Sequence, residues 1–309
     1  MSEIGETNVV QHLSSKDVRK LLDPYRITDG RGFRLKDHDP SDTAGHLIGK
    51  HQAVALLNGG VEHLSDLQEK LYAQDRWAVL CVFQAMDAAG KDGTIKHVMS
   101  GVNPQGVQVT SFKAPSAEEL RHDFLWRAAR SLPERGRIGI FNRSHYEETL
   151  VVRVHPELLE RQHLPHELVG GNIWDKRLAA ISSFERFLAD QGTIILKFFL
   201  HVSKEEQKRR FLERLNDKAK HWKFSASDLT ERKWWSDYQH AYQETIAATA
   251  SPAAPWFVVP ADNKWFTRLV VVAAIVDALD RLDLKPPALT AAEVGNLEAA
   301  REVLAGADS

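Results

Sequence analysis

The stretch FQAMDAAGKDGTIKHV, residues 83–98, is the part of the sequence that decides the fold. It follows the apolar run AVLCV, passes through a turn that contains Gly90 and Lys91, and continues into a predicted helix that begins near Asp92. A buried strand that leads through a glycine turn into a helix gathers free backbone N–H groups and the positive end of a helix dipole at one point. The sequence therefore predicts a phosphate-binding loop.

The loop is a degenerate match to the pattern G-x-x-x-x-G-K-[ST]. Ala85 stands at the first Gly and Asp92 at the Ser/Thr position, so only Gly90 and Lys91 fit. We expect Lys91 to contact bridging and terminal phosphate oxygens. We expect Asp87 to hold a magnesium ion or to receive the proton of an acceptor. An alternative is that Asp87 only stabilises the turn, as Asp side chains often do.

The composition indicates a globular protein with no general affinity for polyanions. The chain has 309 residues, 43% of them hydrophobic, which suffices for a large core. The net charge of −2 predicts attraction to neither nucleic acid nor membranes. The single cysteine, Cys81, excludes internal disulfides and fits a reducing compartment. Because the N-terminus does not resemble a signal peptide and no apolar stretch has the length of a membrane span, we expect a cytoplasmic protein.

Five apolar or β-branched runs are separated by helical patterns. They are residues 78–85, 107–112, 137–142, 193–202 and 256–261. This alternation predicts the α/β class, with a parallel sheet and helices on both faces. Four helix starts carry a capping-box pattern: Ser116 with Glu119, Ser144 with Glu147, Ser203 with Glu206, and Thr290 with Glu293.

We expect one catalytic domain, residues 44–285, with extensions at both ends. It begins with one or two long amphipathic helices over residues 44–74. Residues 1–43 form a polar arm with a helix around 16–22, and residues 286–309 form a C-terminal tail helix. The polar and aromatic segment at approximately 203–235 is predicted to be a lid.

The third predicted strand ends in FNRSHYE. Ligands of open parallel sheets bind beyond the carboxyl ends of the strands. Asn142 stands where a nucleotide-binding sheet often has a magnesium-binding Asp, and an amide is a weaker ligand. Arg143 is placed to bind phosphate bidentately, and an ordinary ion pair is the alternative. Glu147 is explained by its capping box, and His145 is interpreted as a structural residue.

A basic cluster follows the fourth predicted strand. Between residues 204 and 223 there are eight Lys and Arg against four acids. Glu206 and Arg210 share a helix face, as do Arg210 and Arg214, so part of the cluster is surface ion pairing. The cluster would suit a polyanion if it faces a crevice, and it would be an ordinary solvated helix if it faces solvent.

Six ordered blocks together resemble the polyphosphate kinase type 2 family. They are FQAMDAAGKDGTIKHV, GVNPQGVQVTSFKAPSAEEL, FNRSHYEETLVVRV, LKFFLHVSKEEQKRRFLERL, WKFSASDL and APWFVVPADNKWF. The resemblance implies a three-layer α/β/α P-loop kinase fold with a central five-stranded parallel sheet and a lid. It also implies Mg²⁺ or Mn²⁺ dependence and reversible transfer of the terminal phosphoryl group of inorganic polyphosphate to AMP or ADP. FNRSHYE looks like the subgroup that uses both nucleotides, since other subgroups have Asp in place of Asn142.

The resemblance also implies roles for individual residues. Asp87, Lys91, Arg143 and Arg210 would be catalytic, and Asp87 would also hold the metal. The other expected binding residues are Ala88, Ala89, Gly90, Asp92, Gly93, Thr94, Lys96, Lys113, Asn142, Glu147, Arg209 and Arg214. Whether Glu147 compensates for Asn142 at the metal stays open.

The expected partners are polyphosphate and AMP, ADP or ATP, without nucleic acid or membrane, and we expect a homo-oligomer. Two alternative functions remain. One is an ATP-dependent kinase of a small metabolite, because the loop alone does not distinguish a donor nucleotide from an acceptor. The other is a non-catalytic polyphosphate- or nucleotide-binding protein, because the loop lacks its Ser/Thr and the third strand lacks its Asp.

Overall fold

A computed structural model of the chain describes residues 15–44, 49–223 and 225–306. Several predicted segments extend beyond these residues. Residues 1–14 of the predicted arm, 45–48 of the first predicted helices, 224 of the predicted lid and 307–309 of the predicted tail helix lie outside the described residues.

The described residues contain six strands and eleven α-helices, joined by turns and short 3-10 segments. The strands are β1 Arg26–Ile27, β2 Ala78–Ala85, β3 Val107–Ser111, β4 Ile138–Asn142, β5 Thr193–His201 and β6 Trp256–Pro260. The helices are α1 Ser15–Leu22, α2 Lys50–Gln74, α3 Lys91–Val98, α4 Trp126–Ala129, α5 Val151–Val154, α6 Ile173–Asp190, α7 Lys204–Asn216, α8 Ala226–Glu231, α9 Trp235–Thr249, α10 Lys264–Asp280 and α11 Ala291–Gly306.

The strands form one sheet in the order β1-β6-β5-β2-β4-β3. The five predicted strands are confirmed, and every pair among them is parallel. The predicted total of five strands is wrong, because β1 adds a sixth strand that pairs antiparallel with β6. A strand of two residues is too short to produce a periodic pattern, which is why the sequence does not reveal it.

Helices cover both faces of the sheet, which gives three layers. On one face α10 packs against α2, α1, α3 and the strands β5 and β6. On the other face α6 and α9 pack against each other, and α6 also packs against β5. Two neighbouring residues of β5 point to opposite faces of the sheet. Phe198 stacks between Phe83 and Phe257 of the adjacent strands, whereas Phe199 stacks on Tyr242 of α9. Burial on both faces explains why β2 is almost continuously apolar.

The described part of the N-terminal arm packs onto this core. Leu21, Leu22 and Tyr25 are buried, and the Tyr25 ring lies edge-on to Phe266 of α10. The Tyr25 hydroxyl donates a hydrogen bond to Asp42 at 2.7 Å. The few apolar residues of this polar segment are therefore its anchoring residues.

A buried polar cluster joins β5, α6, α9 and the 3-10 segment that follows β4. Lys197 of β5 is completely buried and donates to Glu185 of α6 at 2.6 Å, to the Tyr146 hydroxyl at 3.1 Å and to the Thr249 carbonyl at 2.7 Å. These bonds use all three ammonium hydrogens. The neighbouring His145 is also buried, and its pKa is lowered to about 3, mainly by burial and also by the charge of Lys197. The structure thus places His145 in the core.

The capping predictions have different outcomes. The pairs Ser116–Glu119 and Thr290–Glu293 form both bonds of the capping box. Ser203 accepts from the Glu206 backbone N–H at 3.1 Å, but its own N–H donates to Asp262, so this box is only half formed. Within the described residues, no helix has both the length and the apolar character that a membrane crossing requires.

Candidate active site

The loop between β2 and α3 has the backbone geometry of a tight turn. Gly90 has φ of +100°, a conformation that residues with a side chain rarely adopt. Ala88 has φ of +60°, and the left-handed region costs a residue with a Cβ roughly 1–2 kcal/mol. Such strain persists only where the surrounding structure enforces it, and it is concentrated at functional sites.

The loop after β4 lies against this first loop. Arg143, with φ of +61°, donates to Asp87 at 3.0 Å and to Glu147 at 3.2 Å. The pKa of Arg143 is raised, first by the charge of Glu147 and also by that of Asp87. The structure therefore brings three of the predicted residues together, and in this state the Arg143 guanidinium is held in ion pairs.

The predicted capping box of Ser144 and Glu147 is wrong. The Ser144 hydroxyl accepts from the backbone N–H of Tyr146 instead. The Glu147 carboxylate accepts from Gln84 at 2.9 Å and from Arg143, because these donors outcompete the backbone N–H. Glu147 is thus part of the site, and it lines a small pocket beside Asp87 and Arg143.

Asn142 is oriented by the first turn of α3. Its amide donates to the Asp92 carboxylate at 2.9 Å. A carboxylate at position 142 would face Asp92 with like charge, which would raise the pKa of one of the two groups. The amide at this position is therefore compatible with the Asp that replaces Ser/Thr in the phosphate-binding loop.

Arg210 of α7 bonds to two loops of the site. It is buried, and its five N–H donors are used within the protein. It bonds to the carbonyls of Ala88 and Ala89 in the first loop, to those of Ala261 and Asp262 after β6, and to the Glu206 carboxylate. Arg210 therefore fixes the first loop to the loop after β6.

Three predicted binding residues do not line the large pocket over the carboxyl ends of the strands. Thr94 is buried in α3, and Lys96 is exposed on the outside of the same helix. Arg209 is exposed and pairs with Glu206 and Glu213 on its own helix. The ion-pairing interpretation of the basic cluster is correct for Arg209.

A pocket of about 580 Å³ lies over the carboxyl ends of the strands. Its predicted lining residues are Asp87, Ala88, Ala89, Gly90, Lys91, Asp92, Gly93, Lys113, Asn142, Arg143, Arg210 and Arg214. Five further charged or aromatic residues that were not predicted also line it: Phe112, Glu213, Trp222, Asp228 and Lys264. Trp222 and Asp228 belong to the segment that is predicted to be a lid. Its polar and aromatic composition was the signal that could have identified them. Lys264 belongs to the block APWFVVPADNKWF, in which the sequence predicts a strand but no binding residue.

The cations of the pocket fall into two groups. The arginines are paired within the protein: Arg143 with Asp87, Arg210 with Glu206, and Arg214 with Asp228 at 3.1 Å. In contrast, Lys91, Lys113 and Lys264 form no ion pair with any described residue. The pKa of Lys91 is lowered, mainly by burial and then by the charge of Arg143. These lysines are the groups available to an anionic ligand.

The residues at the pocket fit a phosphate-bound magnesium ion, although not a site made by protein alone. In the part of the chain that the structure describes, no three His, Cys, Asp or Glu lie close enough to hold a metal. Mg²⁺ usually takes only one or two carboxylates and completes its coordination with water and substrate phosphates. The partly exposed Asp87 carboxylate, bonded to Arg143 through one oxygen, meets that requirement.

Comparisons with known proteins agree with this geometry. A family model described as Polyphosphate kinase 2 matches residues 50–287. The chain is 54% identical to an ADP-polyphosphate phosphotransferase of Rhodopseudomonas palustris over 91% of this chain and 97% of that protein. It is 46% identical to an AMP/ADP-polyphosphate phosphotransferase of Meiothermus ruber over 85% of this chain and 94% of that protein.

A solved structure gives the same result for the fold. The crystal structure of polyphosphate kinase 2 from Arthrobacter aurescens superimposes with a TM-score of 0.80 and 42% identity, covering 88% of this chain and 95% of that one. The α/β architecture is therefore that of a P-loop kinase-like fold. The chain belongs to the polyphosphate kinase 2 family.

Proposed function

We propose that this protein transfers the terminal phosphoryl group of inorganic polyphosphate to ADP and AMP. The observation that carries the proposal is the set of unpaired lysines in a pocket over a phosphate-binding loop. Such a pocket suits a substrate that is anionic along its whole length. The names of the relatives from Rhodopseudomonas palustris and Meiothermus ruber support polyphosphate as donor and adenine nucleotides as acceptors.

The proposed step exchanges one P–O bond for another. An oxygen of the terminal phosphate of ADP or AMP attacks the terminal phosphorus of the chain, and the bond to the next bridging oxygen breaks. The chain leaves one phosphate shorter. An acceptor phosphate is largely ionised at neutral pH, since its second pKa is about 6. The reaction therefore requires no general base, and Asp87 is better suited to holding a metal and orienting Arg143.

Catalysis then consists of alignment and charge neutralisation. Lys91 and the backbone N–H groups of the loop bind the transferring phosphoryl group, and Arg143 stabilises the charge that develops on its oxygens. When Mg²⁺ or Mn²⁺ is bound, it neutralises phosphate oxygens, and Asp87 would be its protein ligand. Arg210 contributes indirectly because it fixes the carbonyls of Ala88 and Ala89.

The proposal extends to the organisation of the chain. The catalytic domain is residues 44–285, and the segment at approximately 203–235 is a lid, because Arg214 of α7, Asp228 of α8 and Trp222 between these helices line the pocket. Closure of such a segment would exclude water from the reacting phosphates. We further propose a homo-oligomer in the cytoplasm, where adenine nucleotides are available.

The test uses polyphosphate as the only phosphoryl donor. The full chain is incubated with Mg²⁺, long-chain polyphosphate and either ADP or AMP, and nucleotides are separated by chromatography. We expect ATP from ADP, and ADP followed by ATP from AMP. If neither forms, while ATP is consumed with a metabolite acceptor, the chain is an ATP-dependent kinase and the proposal fails. Product from ADP but not AMP would reject only the use of both acceptors.

A further inference from the structure

Lys264 stands at one end of the pocket, in a place that sequence reasoning did not single out. It is the first residue of α10, directly after the loop that follows β6, and its side chain is exposed on the pocket wall. The Arg210 guanidinium is bonded to the same loop through the carbonyls of Ala261 and Asp262. The position of Lys264 is therefore fixed by the contact that also fixes the phosphate-binding loop.

The surroundings of Lys264 disfavour its positive charge. Its pKa is lowered by partial burial and then by the charge of Arg210. It also lies at the N-terminus of a 17-residue helix, where the helix dipole favours anions. The acids whose charges act on Lys264, Glu206 and Glu213, are already paired with arginines of α7. A cation held in a cleft under such conditions is a candidate for contact with an anionic ligand.

Lys264, Lys91 and Lys113 follow three different strands of one sheet. Lys264 follows β6, Lys91 follows β2, and Lys113 follows β3, with β5 and β4 lying between them. Four strand intervals of ~4.8 Å place the two outer strand ends about 19 Å apart. The two phosphates of ADP are too close together to contact both ends of this row, whereas a linear polyphosphate carries charge along its whole length.

We propose that Lys264 is a substrate-binding residue that contacts the polyphosphate donor away from the phosphoryl group being transferred. The donor chain lies across the strand ends, with Lys91 at the reacting phosphate and Lys264 on a more distant one. This inference rests on the proposed function, since it names the residues along which the donor lies. It assigns Lys264 to affinity for polyphosphate and not to the chemical step.

The test compares Lys264→Gln with Lys264→Arg, and Lys176→Gln serves as the matched control. Lys176 is an exposed lysine of α6 outside the pocket lining. The steady-state KM for long-chain polyphosphate, the KM for ADP, kcat and the thermal midpoint are measured for each variant. In Lys264→Gln we expect the KM for polyphosphate to rise roughly tenfold, as for loss of one charge-assisted bond, while kcat, the KM for ADP and the thermal midpoint stay near wild type. Lys264→Arg should restore affinity, and Lys176→Gln should behave as wild type.

The salt dependence gives an independent measure. A residue that neutralises one phosphate lowers the slope of log affinity against log salt by about one when it is removed, by analogy with nucleic acids. An unchanged KM for polyphosphate, or an increase only in the KM for ADP, would overturn the inference, the latter because Lys264 would then bind acceptor phosphates. If the wild type transfers no phosphoryl group, the proposed function fails, and direct titration of both proteins with polyphosphate still tests Lys264.

Discussion

Arg143 donates a hydrogen bond to Asp87 at 3.0 Å, and this bond joins the loop after β4 to the loop after β2. The two strands are adjacent and parallel in the sheet, so their carboxyl ends meet at one edge. Because Glu147 holds the same guanidinium from the other side, the Asp87 carboxylate and the Arg143 cation are fixed relative to each other before any substrate binds. Such preorganisation is the main way in which enzymes stabilise developing charge.

We expect Arg143→Gln to lower kcat by about 10²–10³, because one donor aimed at developing charge typically accounts for that factor. Arg143→Lys should retain more activity than Arg143→Gln, but a point charge cannot hold both Asp87 and Glu147. Arg, Gln and Lys all carry a Cβ, so the backbone strain at φ of +61° is the same in the wild type and in both variants. Steady-state kinetics with saturating polyphosphate and ADP measures the effect. Wild-type kcat in Arg143→Gln would reduce Arg143 to a structural ion pair.

Lys91→Ala separates catalysis from binding. We expect turnover to fall by about 10³ and polyphosphate affinity to fall less than about tenfold, because Lys91 contacts the reacting phosphate while other cations hold the remaining chain. Single-turnover kinetics and equilibrium titration with polyphosphate provide the two measurements. Equal and small losses in both quantities would favour the alternative of a non-catalytic polyphosphate-binding protein.

Arg210 and Arg209 form a matched pair of adjacent residues. We expect Arg210→Lys to lower the free energy of unfolding by about 2–5 kcal/mol, because an ammonium keeps the charge but has three donors in place of five, so that two buried acceptors lose their hydrogen bonds. Arg209→Gln should change it by less than about 1 kcal/mol, as for an exposed ion pair. Denaturant titration measures both values, with activity assayed in parallel. A large loss of kcat in Arg210→Lys at unchanged stability would instead return Arg210 to direct phosphate binding.

Protonation of His145 should destabilise the fold in acid. Its folded-state pKa is about 3 against an ordinary value of 6.5, so the unfolded chain binds the proton first as pH falls. The contribution of His145 is complete above pH 6.5 and is lost between pH 6.5 and about 3, with a slope approaching about 1.4 kcal/mol per pH unit. His201, with its pKa lowered to about 4, acts in the same direction.

His145→Phe is the variant that tests this pH dependence. Its aromatic ring can keep the contacts with Tyr146 and Phe184 while it removes one titrating group. The free energy of unfolding, measured by denaturant titration at pH 7, 5.5 and 4.5, should fall less steeply in the variant than in the wild type. Identical slopes would show that His145 does not contribute to the acid sensitivity.

The periodic parts of the fold were predictable from sequence. The five parallel strands were located within one residue of their observed ends, because buried strands produce distinct apolar runs. Strand β1 was missed because its two residues produce no pattern. The capping pattern of Ser144 and Glu147 failed for another reason. A capping rule cannot reveal that Gln84, 63 residues away, and the neighbouring Arg143 would compete for the same carboxylate.

The sequence predicted where the candidate site lies, but it did not predict all of the residues and contacts in it. The residues after β2 and β4 meet as expected because parallel strands end at one edge of the sheet. The sequence could not show that Arg210 would turn towards backbone carbonyls, since buried carbonyl acceptors leave no trace in residue identity. Lys264 was missed because a single lysine at a helix start is ordinary until the fold places it beside the pocket.

Cys81, buried at the centre of β2, has a practical consequence for studying motion in this enzyme. It is the single cysteine of the chain, and burial raises the pKa of its thiol, so the reactive thiolate is scarce. Maleimide reagents should therefore leave the folded wild type unmodified. A cysteine introduced on the exposed surface of α7, paired with a second one on α3, would accept fluorophores selectively, and the distance between the dyes would report whether the proposed lid moves during turnover.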